Sequence, residues 1–433
     1  METHFSGSAH AHPCTAAQAI RARLALLAIA LAAALIAGDA DAETAPAYSA
    51  LFRQAEASAP RLAESQASVR AAEGRAQQAG LRPNPSLDFE VENLGTSGNS
   101  GANAAVQSTL SIGQPIELGG KRSARVAAGQ AGVSAAAARN RQTLIDFGYD
   151  LAISYAAAEA AQARVVFFQD AQMAAQEDLR AARALVDAGR EADLRAVQAE
   201  AASTAAQADL EAARADAQSA FAQLASLAGM ASPYTGVVDS LLPLANTLPP
   251  PPNEPPVVAP AVVAAEAERE AAARRIAVER TRAVPDITPS LGVRRLTGNN
   301  NTLFVAGVSI TILIFDKNQG NVAAAIAELE AFDARLNAAR LEAQNGWRSA
   351  AALARAADAR VSASTQAEMA SSEAYRLARV GYDAGRTPLV ELLLARRNLT
   401  LAQSAALDAR LARIRAEAQL SRLSARIPFG AAP

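Results

Sequence analysis

The chain states one pattern twice. Ser111-Ile112 through Ile116 to Gly120 lines up with Ser309-Ile310 through Ile314 to Asn318. In both copies an alternating apolar run leads through a polar turn into a long alanine-rich stretch. Asp187-Ala188-Gly189-Arg190 recurs as Asp383-Ala384-Gly385-Arg386, and Pro85-Ser86-Leu87 recurs as Pro289-Ser290-Leu291. Repetition on this scale means that one supersecondary unit has been duplicated, so the fold is built from two copies of it set side by side.

Residues 1–42 read as a segment apart from those units. Arg21 and Arg23 precede an unbroken apolar run from Leu24 to Ala37, and Ala40-Asp41-Ala42 offers small residues for cleavage, the pattern of a secretory signal peptide. The run is shorter than the roughly 20 apolar residues that a spanning helix needs. Cys14 precedes the run, so it is not the acylated first residue of a mature lipoprotein.

All 3 histidines (His4, His10 and His12) and the 1 cysteine lie inside this leader. The remainder therefore contains no Cys/His zinc site, no cysteine nucleophile and no Ser-His-Asp triad. No catalytic, cofactor-binding or metal-binding residues are assigned to it. The 41 Lys and Arg balance 43 Asp and Glu, too even a charge to attract nucleic acid. Beyond the leader, charged or amide residues interrupt every apolar stretch before it could cross a membrane as a helix. An exported chain of this kind is soluble, or it enters a membrane as a closed β-barrel.

Four short segments bear on that choice: 86–94, 104–112, 287–296 and 302–313. In the first, Leu87, Phe89 and Val91 alternate with Asp88, Glu90 and Glu92. In the second, Val106, Leu110 and Ile112 alternate with Gln107, Thr109 and Ser111. In the fourth, Phe304, Val308, Ile310 and Ile312 alternate with Gly307, Ser309 and Thr311. A period of two predicts strands, and the Gly/Asn/Ser-rich loops 95–103 and 297–301 predict hairpins. Strands polar on one face suit a barrel with lipid outside and water inside. They suit equally a soluble antiparallel sheet covered by helices. Four strands do not close a barrel, so the first option requires several chains to pool them.

The helices favour pooling. There is no proline between Pro115 and Pro233, nor between Pro289 and Pro388. Residues 122–186 and 321–382 each read as one continuous helix, on the order of 90–100 Å long at 1.5 Å per residue. Gly189-Arg190 and Gly385-Arg386 then break the chain, and helices 193–227 and 389–425 follow. In the last of these, Leu393, Thr400, Leu407, Ile414 and Ser421 recur at heptad spacing, while Leu392, Leu399 and Leu423 mark a second apolar side. Alanine dominates these helices on nearly every face. A methyl group buries little area, so a single helix pair is weakly held and many side-by-side contacts are needed. A tubular oligomer supplies them; a monomeric helical bundle or filament is the alternative.

Helices at 48–80 and 261–282 precede the two strand pairs, so each half runs helix, strand, strand, long helix, helix. The expected organisation is a signal peptide (1–42), a first repeat (43–241), an extended proline-rich linker (242–260), a second repeat (261–427) and a short tail (428–433). The fold class is mainly α with a small β part.

With that order in place, the chain resembles the TolC-like outer membrane efflux proteins over essentially its whole mature length. The stretch QPIELGGKR (114–122), its counterpart IFDKNQGN (314–321) and LRPNPSL (81–87) resemble the subgroup serving heavy-metal resistance of the cobalt-zinc-cadmium type. The resemblance implies a homotrimer in the outer membrane. Its three chains would form a twelve-stranded barrel, and their coiled helices a long periplasmic tunnel. It implies a passive exit duct for heavy-metal cations, joined through a periplasmic adaptor to an inner-membrane, proton-driven pump of the resistance-nodulation-division (RND) class. The same fold also serves drug efflux and type I secretion. A periplasmic coiled-coil adaptor fits less well, since adaptors carry one helical hairpin and a β-rich remainder.

Two residue sets become candidates. If the polar face of the first strand lines the lumen, three-fold symmetry stacks Asp88, Glu90 and Glu92 into carboxylate rings that concentrate cations. They could also be merely wetted strand residues. At the periplasmic tip, the resemblance places gate residues at Arg386 and Glu391, with Arg190 and Asp193 at the related turn of the first repeat. A second acidic position of the family falls near Leu394, where an apolar constriction would replace it. Helix-start charges that favour the helix dipole have the same appearance.

Overall fold

The computed structural model describes residues 43–94, 106–252, 259–297 and 301–430. The leader, most of both hairpin loops, the middle of the proline-rich segment and the last three residues of the tail lie outside the described residues. The first half runs α1 (Tyr48–Ser58), α2 (Pro60–Ala79), β1 (Ser86–Glu92), β2 (Gln107–Gly113), α3 (Lys121–Asp187) and α4 (Asp193–Ala228). The second runs α5 (Pro260–Thr281), β3 (Ile287–Leu296), β4 (Asn301–Ile310), α6 (Gln319–Asp383) and α7 (Leu389–Leu423). The helix expected over 48–80 is broken. Pro60 has no N–H to give the preceding turn, so Ala59 adopts extended backbone (φ −68°, ψ 123°) and Pro60 opens a new helix.

Helices α3 and α6, of 67 and 65 residues, are single rods about 100 Å long. Each ends where the repeated glycine enters the left-handed region, at φ +67° for Gly189 and +70° for Gly385. Both turns close alike. Arg190 N–H donates to Leu185 O at 2.9 Å, and Arg386 N–H to Gly381 O at 2.8 Å, a Schellman closure that satisfies the last carbonyls.

The helices form a wall four wide at every level. Next to the sheet α2, α3, α5 and α6 lie in that order; beyond it the order is α4, α3, α7 and α6. The main core sits where α1 meets the middle of α3 and the end of α4. Leu51, Phe52, Phe147, Leu151, Tyr155 and Leu224 are fully buried there. Phe429, in the short tail, stacks edge-on against Tyr48 at 6.1 Å. Elsewhere the seams are alanine, such as Ala350, Ala351 and Ala354 beside Trp347.

The first part of the proline-rich segment is not extended. Leu242–Asn246 is a 3₁₀ turn whose Leu242 and Ala245 are buried against α3 and α7. Glu159, buried in α3, accepts hydrogen bonds from Leu241 N–H (2.8 Å), Leu242 N–H (3.2 Å) and the Ser240 hydroxyl. Burial pushes its carboxyl up in pKa, and these donors oppose the shift. Arg413, wholly buried in α7, pairs with Asp358 and Glu417 and donates to Pro249 O at 2.8 Å. The segment is thereby pinned at both ends of the turn.

The sheet is antiparallel in the order β1-β2-β3-β4, so the two repeats join through β2 and β3. Register places Leu87, Ile112, Leu291 and Ala306 in one row and Phe89, Leu110, Val293 and Phe304 in the next. The opposite face carries Asp88, Ser111, Gly292 and Val305, then Glu90, Thr109, Arg294 and Leu303. β4 ends at Ile310, short of the predicted 313.

Candidate functional sites: the polar sheet face and the helix turns

Burial on the sheet is inverted. Along the two central strands, Leu110, Ile112, Leu291 and Val293 are exposed, while Thr109 and Gly113 are buried and Ser111, Gly292 and Arg294 are half-buried. Phe304 on β4 is 92 % exposed and Leu87 on β1 is 72 % exposed. No helix makes a sizeable contact with the described strands, so this pattern means that the sheet itself curls toward its polar side, with Gly292 at a close approach. A side chain at Gly292 would come within 2.6 Å of Leu110 O and 2.7 Å of Ser111 Cβ. A concave polar face and a convex apolar one are what a barrel wall in lipid requires. No helix among the described residues is long and apolar enough to cross a membrane.

Asp88, Glu90 and Glu92 all stand on the concave face, as their alternation predicts. The Ser86 hydroxyl donates to Asp88 Oδ2 at 3.1 Å. Arg294, which the sequence reading did not single out, reaches across from β3. Its Nε donates to Thr109 Oγ1 at 3.0 Å and its Nη1 to Gln107 Oε1 at 3.2 Å, and its Nη2 lies 3.5 Å from Glu92 Oε2. Among the described residues, Asp88 and Glu90 have no such cation. The parity of Arg294 against Val293 was legible, but its level beside Glu90 depends on the β2–β3 pairing between repeats.

At the opposite end, Arg190, Asp193, Arg386 and Glu391 are all exposed and have no side-chain partner among the described residues. Asp193 and Glu391 occupy the first turns of α4 and α7, where the helix dipole favours a negative charge. Neither caps its helix by a side-chain hydrogen bond. Leu194, Val197, Val390 and Leu394 are exposed beside them. Behind this surface, Ala182 and Ala199 of the first hairpin pack on Leu389 and Leu392 of the second.

A second charge pair, missed from the sequence, lies one layer deeper. Asp178 on α3 and Arg396 on α7 form an ion pair with side chains only 7 % and 10 % exposed. Arg396 Nη2 donates to the Tyr375 hydroxyl at 3.3 Å, and the guanidinium lies 5.6 Å from the centre of that ring. Burial pushes the Asp178 carboxyl up in pKa, and Arg396 pulls the other way. Arg379 on α6 pairs at the surface with Glu177 on α3 at 3.1 Å, so both long helices are tied at this level. In sequence, Asp178 and Arg396 look like any solvated helix charges.

An inverted sheet continued by a duplicated set of rods defines a class. The profile of the outer membrane efflux protein family matches residues 51–230 and 257–426, and the chain belongs to that family. It is an outer-membrane efflux channel. The nickel-cobalt-cadmium resistance protein NccC of Alcaligenes xylosoxydans xylosoxydans is 43 % identical over 392 residues, 90 % of this chain and 89 % of that one. The nickel and cobalt resistance protein CnrC of Cupriavidus metallidurans is 44 % identical over 317 residues, 73 % and 75 % of the two chains. Among solved structures, the outer membrane protein VceC of Vibrio cholerae superimposes with a TM-score of 0.71 at 20 % identity, over 88 % of this chain and 96 % of that one. The CmeC channel of Campylobacter jejuni gives 0.72 at 14 % identity, over 88 % and 86 %.

Proposed function

We propose that three copies of this chain close into a tube that lets heavy-metal cations leave the cell. The observation that carries the closure is the pair of open edges. Among the described residues β1 pairs only with β2, and β4 only with β3. An uncovered edge is an invitation to pair. In the helical wall α6 forms one margin, with Leu341, Leu353 and Met369 exposed, while α2 and α4 form the other. Joining β4 and α6 of one copy to β1, α2 and α4 of the next closes both layers by one rotation.

The metal cargo is supported by resemblance to the nickel, cobalt and cadmium resistance proteins. The duct is passive, so a periplasmic adaptor and an inner-membrane proton-driven pump of the RND class supply direction and energy. The leader is removed after Ala42. Asp88, Glu90 and Glu92 line the lumen, and Arg386, Glu391, Arg190 and Asp193 ring the tip with Leu394 as part of the constriction.

The deciding experiment is complementation. A strain lacking this chain should become sensitive to nickel, cobalt, cadmium or zinc and recover when the chain alone is restored. Unchanged metal tolerance together with new sensitivity to dyes and detergents would assign it to drug efflux instead. A purified product that is monomeric and stable without detergent would refute the tube.

A further inference from the structure

The concave sheet face is not uniformly acidic, and Arg294 is the reason. Its fork is held at three points across β3, β2 and β1, by Thr109, Gln107 and Glu92. Thr109 is buried and the Arg294 side chain is 31 % exposed, so the hydrogen bonds hold a partly sheltered guanidinium against the sheet. Register puts Arg294 level with Glu90 and one row from Glu92. Among strand residues of this face the charges are Asp88, Glu90, Glu92 and Arg294 alone. From the row of Glu90 the Arg294 side chain reaches one row toward the hairpin loops and pairs with Glu92, so each chain compensates its outermost carboxylate. Asp88, one row nearer the helices, and Glu90 keep no ion-pair partner among the described residues and form the acidic part of the face.

We propose that Arg294 is a specificity-determining residue of the channel. It caps the cation preference of the lumen by placing a fixed positive charge within the carboxylate layers. The proposal rests on the reading of this face as the lumen. A lumen lined by carboxylates alone would draw cations strongly and release them slowly at its outer end. A compensated last level lowers the local cation concentration at the exit. The effect depends on the positive charge itself, which lysine would also supply, while the hydrogen bonds to Thr109 and Gln107 are particular to the guanidinium fork.

The test is the reversal potential of purified channels in planar bilayers under a potassium chloride gradient. At about 0.1 M salt, where charges act over roughly 10 Å, Arg294→Gln should raise the cation-to-anion permeability ratio about two- to three-fold. At about 1 M salt, where that range shrinks to roughly 3 Å, the difference should vanish. Glu92→Gln, which leaves Arg294 uncompensated, should lower the ratio, and Arg294→Lys should stay near wild type. A purely structural role for Arg294 would give no opposite signs and no salt dependence. Conducting Arg294→Gln and Glu92→Gln channels with wild-type ratios at low salt would overturn the proposal and leave the channel reading intact. Wild-type protein that never conducts would overturn the channel reading itself.

Discussion

At the sheet, four ionised side chains share one wet concave face, whereas at the helix turns Asp178 and Arg396 bury theirs among leucines and tyrosines. The same chain thus handles charge in two opposite ways. On the sheet, most charge gathers on the polar face, with Arg295 near the hairpin loop the exception on the apolar one, and in the proposed tube that polar face would act on what passes through. At the tip, charge is turned inward between hairpins and acts on the protein itself. A surface ion pair contributes little because solvent screens it, but a buried pair that loses one member leaves an expensive orphan. Strength at one end and permeation at the other should therefore respond to different substitutions.

The sharpest way to break the contrast is at the tip. Asp178→Ala strands Arg396, whose Nε and Nη1 already have no partner, and should cost about 3–5 kcal/mol. A large fall in thermal unfolding temperature in detergent checks this. An Asp178→Leu, Arg396→Met double variant should recover most of the loss. On the sheet, Phe89→Arg places a charge on the convex face and should cost about 2–4 kcal/mol, read as failed insertion into lipid vesicles. Asp88→Arg, one residue away on the other face, should insert normally. Gly292→Val should cost about 1–3 kcal/mol by overpacking against Leu110 O and should slow barrel assembly on heat-shift gels. The smallest stability effect, within about 0.5 kcal/mol, is expected for Glu391→Ala and Arg386→Ala, which are exposed. Their signature should be raised single-channel conductance, and unchanged conductance would remove them from the gate.

Periodicity and punctuation carried much of the architecture. All four strands lie where the sequence placed them, three of them on alternation; the absence of proline marked α3 and α6, and the repeated glycine turns marked their ends. Such signals are local, and the chain repeats them. What sequence did not disclose depends on partners far along the chain. The β2–β3 pairing between repeats decides that Arg294 meets Glu92, and the packing of α3 on α7 decides that Asp178 meets Arg396. Pro60 was visible, but its effect was not drawn out, since proline also begins helices. The turn at Leu242–Asn246 was hidden because proline-rich composition reads as extended until Glu159 and Arg413 supply its anchors.

One consequence of the wall concerns α3. It lies against α2, α4, α5 and α7, whereas α4 leans on α3, with short contacts to α1 and, through Ala199, to α7. Ala152, Ala156, Ala158 and Ala160 lie wholly buried along the middle of α3. A methyl group is the largest tenant such seats accept, because anything bulkier would wedge neighbours apart on more than one flank. This spine is consequently the part least free to drift, and in a chain parted from its copies α4 is the first helix that should peel away on warming.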